Sequence, residues 1–267
     1  MSGQYAEMLA LARRAAEAGG RVLAGAFGKV RAREKAPGDL VTDADLAGQR
    51  AILSMIRSAY PGHTVLAEEE GVEADPSAEY RWIVDPLDGT VNFAHGLPLW
   101  CVSIGLERRG ELVAGVVYEP LTGRAHAAAV GSGATIDDVP THVSNSSSLR
   151  TSLIACGMPV AFADDAERQL GMMGRMSTGT HSVRRTGSSA WNLAMVAAGA
   201  IDVCYATGIL PWDAAAGVVL VREAGGIVTS IDGSTYDLYG KGGMLASNGR
   251  VHAEAVDRLA GGRAGGA

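Results

Sequence analysis

The stretch Trp82-Ile83-Val84-Asp85-Pro86-Leu87-Asp88-Gly89-Thr90 places two carboxylates three residues apart at the end of an apolar run, directly before a glycine and a hydroxyl. Trp82 to Val84 read as a buried strand, Pro86 is expected to stop it, and Asp88-Gly89-Thr90 opens a turn whose amides can point at an anion. Carboxylate oxygens suit hard cations such as Mg²⁺, which bind through a few carboxylates plus substrate phosphate rather than in a closed protein cage. Asp and Gly are also common turn residues, so a strand end followed by an ordinary tight turn accounts for the same letters. Two further acidic clusters favour the metal reading. Val65-Leu66-Ala67-Glu68-Glu69-Glu70-Gly71 is a short apolar run ending in three glutamates, and Pro211-Trp212-Asp213 stands directly before the apolar helix pattern Ala214 to Ala224.

Working outward, 267 residues suffice for a large core, as one unit or as two intimately packed halves. The N-terminus is amphipathic at helical spacing from Tyr5 to Leu23 and does not resemble a signal peptide. The apolar stretch Trp191 to Leu210 contains Asn192 and Asp202, which argues against a membrane span, and the chain reads as cytoplasmic. Cys101, Cys156 and Cys204 are scattered among apolar neighbours and read as reduced core thiols. The six histidines show no ligand spacing. A net charge of −6 argues against nucleic-acid or membrane binding by bulk electrostatics.

The three acidic segments follow one another as A-E-E-x-G, W-I-V-D-P-L-D-G-T and P-W-D-A-A-A-G, with E-A-G-G closing the last helix. In that order and spacing the chain resembles the inositol monophosphatase family of Mg²⁺-dependent, lithium-sensitive-type sugar-phosphate phosphatases, over about Asp39 to Asn248. The resemblance implies a layered αβαβα sandwich of mixed α+β and α/β character, like fructose-1,6-bisphosphatase, with the metal site between the halves. It implies two or three Mg²⁺ ions per site, a small anionic phosphate ester as substrate and a homodimer.

The resemblance also implies roles. Glu68, Asp85 and Asp88 match the primary metal ligands, with the Leu87 carbonyl as a further oxygen, and Asp213 matches the ligand from the second half. Glu69 matches a third-metal or outer contributor, and Glu70 the variable position. Gly89 and Thr90 match phosphate-binding amides at a helix start, together with Asp88 and Asp213 as substrate neighbours. The Thr90 hydroxyl pairs with Asp45, at the end of Thr42-x-x-Asp45, to orient the attacking water; Thr42 and Asp45 equally make a capping pair for the second helix. Asp213 has a comparable alternative as an N-cap, and the two roles can coexist. Trp212 reads as a packing residue. Lys35, in a loop before Asp39, either approaches the water or phosphate or is solvated. Gly187, Ser188 and Ser189 lie where family members contact substrate hydroxyls through backbone groups. Arg184 and Arg185 precede them, either meeting a second anionic group or lying solvated on a strand.

Elementary energetics agrees with the metal. Each like-charged pair brought to 4 Å costs about 4 kcal/mol at an effective dielectric near 20, and a phosphate dianion would be repelled further. Phosphate monoester hydrolysis needs accelerations up to ~10²¹-fold, whereas positioned acid–base catalysis contributes only ~10²–10⁴. Metal ions about 3.5–4 Å apart can lower the pKa of water, stabilise the leaving oxygen and clamp the phosphate.

Along the chain, a second helix begins at Thr42-Asp43-Ala44-Asp45 and ends near Tyr60-Pro61-Gly62. Leu99 to His142 reads as an antiparallel meander, and Asn145 to Ser148 as the connection between halves at 1–143 and 144–267. The second half alternates: strand Ser152 to Cys156, helix Asp164 to Met176, strand Ser182 to Arg185, helix Ala190 to Gly199, strand Ile201 to Tyr205, helix Ala214 to Ala224, strand Ile227 to Ile231. Gly131-Ser132-Gly133 reads as a turn, and the glycine-rich Ala260 to Ala267 as a mobile tail.

One departure concerns the substrate. Inositol-specific members place an acid before the glycine that leads to W-D, whereas this chain reads Tyr205-Ala206-Thr207-Gly208. Loss of one polar substrate contact matters when a site is built around it. The expected activity is hydrolysis of a small polyol or sugar phosphate monoester, inositol 1-phosphate-like. Histidinol phosphate, fructose 1,6-bisphosphate or a 3′(2′),5′-bisphosphate nucleotide are alternatives, and a metal-binding regulatory or scaffold dimer is the non-enzymatic one.

Overall fold

A computed structural model describes residues 2–29, 32–36, 39–69, 71–72, 78–159 and 162–261. The first helices are α1 (Ser2–Ala26) and α2 (Asp43–Ala59), separated by the hairpin β1 (Arg33–Ala36) and β2 (Asp39–Val41). Strands β3 (Thr64–Ala67), β4 (Gly71–Val72), β5 (Tyr80–Asp88), β6 (Cys101–Arg108), β7 (Glu111–Glu119), β8 (Arg124–Ala129), β9 (Ala134–Ile136) and β10 (Val139–Thr141) form one sheet. The short helix α3 (Thr90–Ala94) follows β5. Strand order is β10-β9-β8-β7-β6-β5-β3-β4, antiparallel except where β3 runs parallel to β5.

A second sheet, in the order β12-β11-β13-β15-β14, holds β11 (Leu153–Gly157), β12 (Ser182–Arg184), β13 (Val203–Ala206), β14 (Ile227–Thr229) and β15 (Met244–Ser247). Its helices are α4 (Ala166–Ser177), α5 (Ser189–Ala197), α6 (Pro211–Glu223) and α7 (His252–Ala260). Helices α1 and α2 cover one face of the large sheet, α5 and α6 lie between the sheets, and α4 and α7 cover the outer face of the small one. The result is the expected αβαβα layering.

Strand β5 is buried along almost its whole length because both of its faces are covered. Its side chains alternate between the two helical layers. Trp82 and Val84 join the core formed with α1 and α2, while Ile83 packs with Ala215 of α6. By the same alternation Asp85 faces α6. That helix lies unusually close to the sheet: a Cβ on Gly105 would sit 2.6 Å from the Ala215 Cβ, and one on Gly115 2.6 Å from the Ala216 carbonyl oxygen.

Three expectations need correction, on Lys35, Pro86 and Asp213. Lys35 lies in β1 rather than in a loop. Pro86 does not stop the strand; β5 continues to Asp88, and its pairing with β6 shifts register between Asp85 and Asp88. A bulge tolerates the missing proline N–H. Helix α6 starts at Pro211, not Ala214, since proline suits a first helical position, so Asp213 lies inside the first turn instead of before it. The small sheet is mixed: β11 pairs in parallel with β12 and β13, whereas β15 is antiparallel to β13 and β14. No described helix is long and apolar enough to cross a membrane. Of the glycine-rich tail, 262–267 lie outside the described residues.

Candidate active site

At the end of β5 the fold brings together three carboxylates. One oxygen each from Asp85, Asp88 and Asp213 lie within 4.8 Å of one another. Asp85 Oδ1 accepts from the Leu87 amide at 2.9 Å, and Asp213 Oδ2 accepts from the Leu210 amide at 3.0 Å, capping α6 from its third position. Glu68 follows β3 alongside, its amide donating to the Val84 carbonyl at 3.2 Å. Burial pushes the Asp85 carboxyl well above its ordinary value, and the charges of Glu68, Asp88 and Asp213 push the same way. Asp213 is pushed up to about 8, by burial first and then by the Asp88 charge. The three clustered donors are hard oxygens drawn from two chain segments, with the Glu68 charge nearby, and their mutual repulsion is what a divalent cation would relieve; the residues therefore fit Mg²⁺.

Asp88 has a second duty that its sequence position conceals. Ser188 Oγ donates to its Oδ2, Ser189 N donates to Oδ1 at 3.2 Å, and Ala190 N donates to Oδ2 at 2.8 Å. Ser188 occupies the N-cap position of α5 but gives that helix no side-chain cap; Asp88, a hundred residues earlier, caps it instead. Burial raises the Asp88 carboxyl while these donors pull it back down. The Ser189 amide, one of the backbone groups expected at the substrate hydroxyls, thus donates to Asp88, as does the Ser188 hydroxyl. Cys101 Sγ lies 3.7 Å from both Asp88 Oδ2 and Ser188 Oγ. It is the buried thiol expected from sequence, and burial pushes it far up, which excludes a resting thiolate.

Asp45 makes the expected cap and also reaches Thr90. Its Oδ2 accepts from the Thr42 amide at 2.9 Å and the Thr42 hydroxyl at 2.5 Å, closing a capping box on α2. Its Oδ1 is left for Thr90 Oγ1, at 3.3 Å. Thr90 Oγ1 also lies 3.1 Å from the Leu87 carbonyl oxygen. Burial raises the Asp45 carboxyl, against the lowering effect of its Thr42 hydrogen bonds, and the Glu69 charge raises it further. Glu69 is fixed through its amide, which donates to Gln49 Oε1 at 3.1 Å. Gly89 bends the chain between Asp88 and Thr90 with φ +100°, and a Cβ there would lie 2.9 Å from the Leu99 carbonyl oxygen.

The remaining candidates divide. Arg184 turns back on its own strand, donating to Ser182 Oγ and, at 3.2 Å, to the Val183 carbonyl. Arg185 is exposed beside the site. The Lys35 side chain and Glu70 lie outside the described residues. Trp212 packs with Leu66 and Ile83, as expected. Asn92, which sequence reasoning missed, donates through Nδ2 to the Leu99 carbonyl at 2.6 Å and the Thr186 carbonyl at 2.8 Å, tying α3 to the loop before Ser188. Its signal was weak: an amide two residues after Thr90 on the inner side of a short helix.

The comparisons with known proteins agree with this geometry. The sequence profile described as the inositol monophosphatase family matches residues 4–261. An inositol-1-monophosphatase of Mesorhizobium japonicum is 41% identical over 237 residues, covering 88% of this chain and 89% of that protein. The Nus factor SuhB of Escherichia coli K12 is 37% identical, covering 91% and 92%. Among solved structures, an inositol monophosphatase from Anabaena superposes with a TM-score of 0.89 at 37% identity, covering 97% of this chain and 98% of that one. The suhB protein of Bartonella henselae gives 0.92 at 35%, covering 96% and 100%. With the acidic cluster in place and the profile matched over nearly its whole length, the chain belongs to the inositol monophosphatase family of phosphoric monoester hydrolases.

Proposed function

We propose that this protein is a Mg²⁺-dependent phosphatase that hydrolyses a small polyol or sugar phosphate monoester by direct attack of water. The observation that carries the reading is the convergence of Asp85, Asp88 and Asp213 within 4.8 Å, next to the hydroxyl of Thr90 and its link to Asp45. Glu68, Asp85, the Leu87 carbonyl, Asp88 and Asp213 would hold two or three Mg²⁺ ions, which when bound neutralise the phosphate, make water more acidic and stabilise the leaving oxygen.

The chain's own groups do the positioning. Asp45 Oδ1 holds the Thr90 hydroxyl, so a water beside Thr90 can pass a proton through Oγ1 to a carboxyl whose proton affinity burial has already raised. The Gly89 and Thr90 amides follow the sharp turn and face the phosphate. Glu69 contributes charge behind Asp45. Residues 1–143 and 144–267 act as one catalytic unit, cytoplasmic and homodimeric in this reading. The substrate is inositol 1-phosphate-like in size; Ala206 in place of an acid keeps histidinol phosphate, fructose 1,6-bisphosphate and a 3′(2′),5′-bisphosphate nucleotide as alternatives.

The test is phosphate release from those compounds, with Mg²⁺ or EDTA, by wild type and by Asp85→Asn, whose amide oxygen can still accept from Leu87. Release is expected only from wild type with Mg²⁺; full activity of a folded Asp85→Asn would refute the site. The relatives named Nus factor favour a second reading, a metal-binding regulatory or scaffold dimer. Wild-type inactivity on every compound, with partner binding retained by Asp85→Asn, would establish it.

A further inference from the structure

A cavity of about 410 Å³ opens beside the Asp88 cap, between the Gly157 to Pro159 segment and the Arg185 to Ser189 segment. Its size falls within the roughly 300–1,000 Å³ of small-molecule sites. Ser188 and Ser189 form its wall and donate to Asp88 from that same wall, so the cavity adjoins the carboxylate cluster directly.

The charge of this cavity is opposite to that of its neighbour. Among the described residues no aspartate or glutamate lines it, and Arg185 is the charged residue that does. Arg184 spends its guanidinium on its own strand, but Arg185 makes no hydrogen bond or ion pair with the described residues. Arg185 itself lines the cavity, as does Cys156. Ala206 lies buried behind Gly157, its Cβ 2.8 Å from where a Gly157 Cβ would be, with Ser189 Oγ 3.4 Å from the same point. Alanine at 206 brings no charge to this wall.

Resting on the phosphatase reading above, we propose that Arg185 is a specificity-determining residue that binds a second anionic group, phosphate or carboxylate, on the leaving portion of the substrate. A guanidinium suits either oxyanion through paired N–H donors. The scissile phosphate then lies at the carboxylate cluster while the distal anion occupies the cavity.

The experiment compares kcat/KM within two matched pairs, fructose 1-phosphate with fructose 1,6-bisphosphate and glycerol 3-phosphate with 3-phosphoglycerate. It uses the full chain with Mg²⁺ and the variants Arg185→Gln, Arg185→Lys and Arg184→Gln. Wild type should prefer the member with the additional anion in at least one pair, and which pair responds distinguishes phosphate from carboxylate. Arg185→Gln should lose about ten- to a hundredfold on the preferred member, the range of a charge-assisted hydrogen bond, and under about twofold on its partner. Arg185→Lys should recover part of the loss, and Arg184→Gln should behave as wild type. Equal losses on both members, no wild-type preference in either pair, or an altered oligomeric state of Arg185→Gln by gel filtration would each overturn the assignment. Turnover of the singly anionic members without preference removes only the Arg185 role. No release from any of the four, nor from the wider panel, removes the phosphatase reading and this inference with it.

Discussion

In metal-free buffer Asp213 should make the folded chain lose stability as pH rises from 5.5 to 8.5. Its carboxyl, ordinarily near 3.8, is pushed up to about 8 by burial and by the neighbouring Asp88 charge. A carboxyl with a raised folded value favours the folded state while protonated. Its contribution is full below about 3.8, falls as pH climbs and is exhausted above about 8. From pH 5.5 to 8 the loss spans about 2.5 units, roughly 3 kcal/mol at 1.36 kcal/mol per unit. For a chain of this size that lowers the melting midpoint by about 6–12 °C. Asp213→Asn keeps an oxygen for the Leu210 amide and cannot ionise, so it isolates this contribution from the rest of the titration. Thermal melts of both proteins in EDTA at the two pH values measure it. The variant should gain on wild type by that margin at pH 8.5, and excess Mg²⁺ should restore wild type without helping the variant. Parallel behaviour of the two proteins at both pH values would refute the electrostatic account of the cluster.

Two further outcomes are expected. Thr90→Ala should lower kcat by about 10²–10⁴ with KM little changed, while Thr90→Ser retains most activity, because only the hydroxyl reaches Asp45; steady-state kinetics that show equal losses would remove the proton route. Gly89→Ala should cost about 1–3 kcal/mol in urea unfolding, since its φ of +100° strains any L side chain and the new Cβ would press on the Leu99 carbonyl; an unchanged midpoint would contradict this.

The layered fold and the three acidic segments were legible because they rest on short-range signals. Apolar strands ending in carboxylates, a proline at a helix start and glycines at turns all act within a few residues. What escaped was long-range. Nothing in Asp88-Gly89-Thr90 announces that Asp88 caps a helix beginning a hundred residues later, and nothing around Cys101 places its sulfur against that carboxylate. Pro86 misled because a proline ends a regular ladder, yet a bulge absorbs it. Asp213 was placed one turn too early relative to its helix for the opposite reason: the apolar pattern begins at Ala214, while the hydrogen-bonded helix already begins at Pro211. The capping reading of Asp45 did not exclude the contact with Thr90, because a carboxylate has two oxygens: one closes the cap and the other meets the Thr90 hydroxyl.

The seating of α6 on Gly105 and Gly115 bears on how freely the site can breathe. Helices packed on ordinary side chains ride on a cushion of rotatable bonds. Here helix backbone and alanine methyls rest nearly on bare strand, with no such cushion between them. Asp85 and Asp213 are therefore carried by what is mechanically one body. The gap between them is set by methyl and backbone contacts that have no rotamers to change, whereas the cavity wall of Gly157 to Pro159 lies outside that contact.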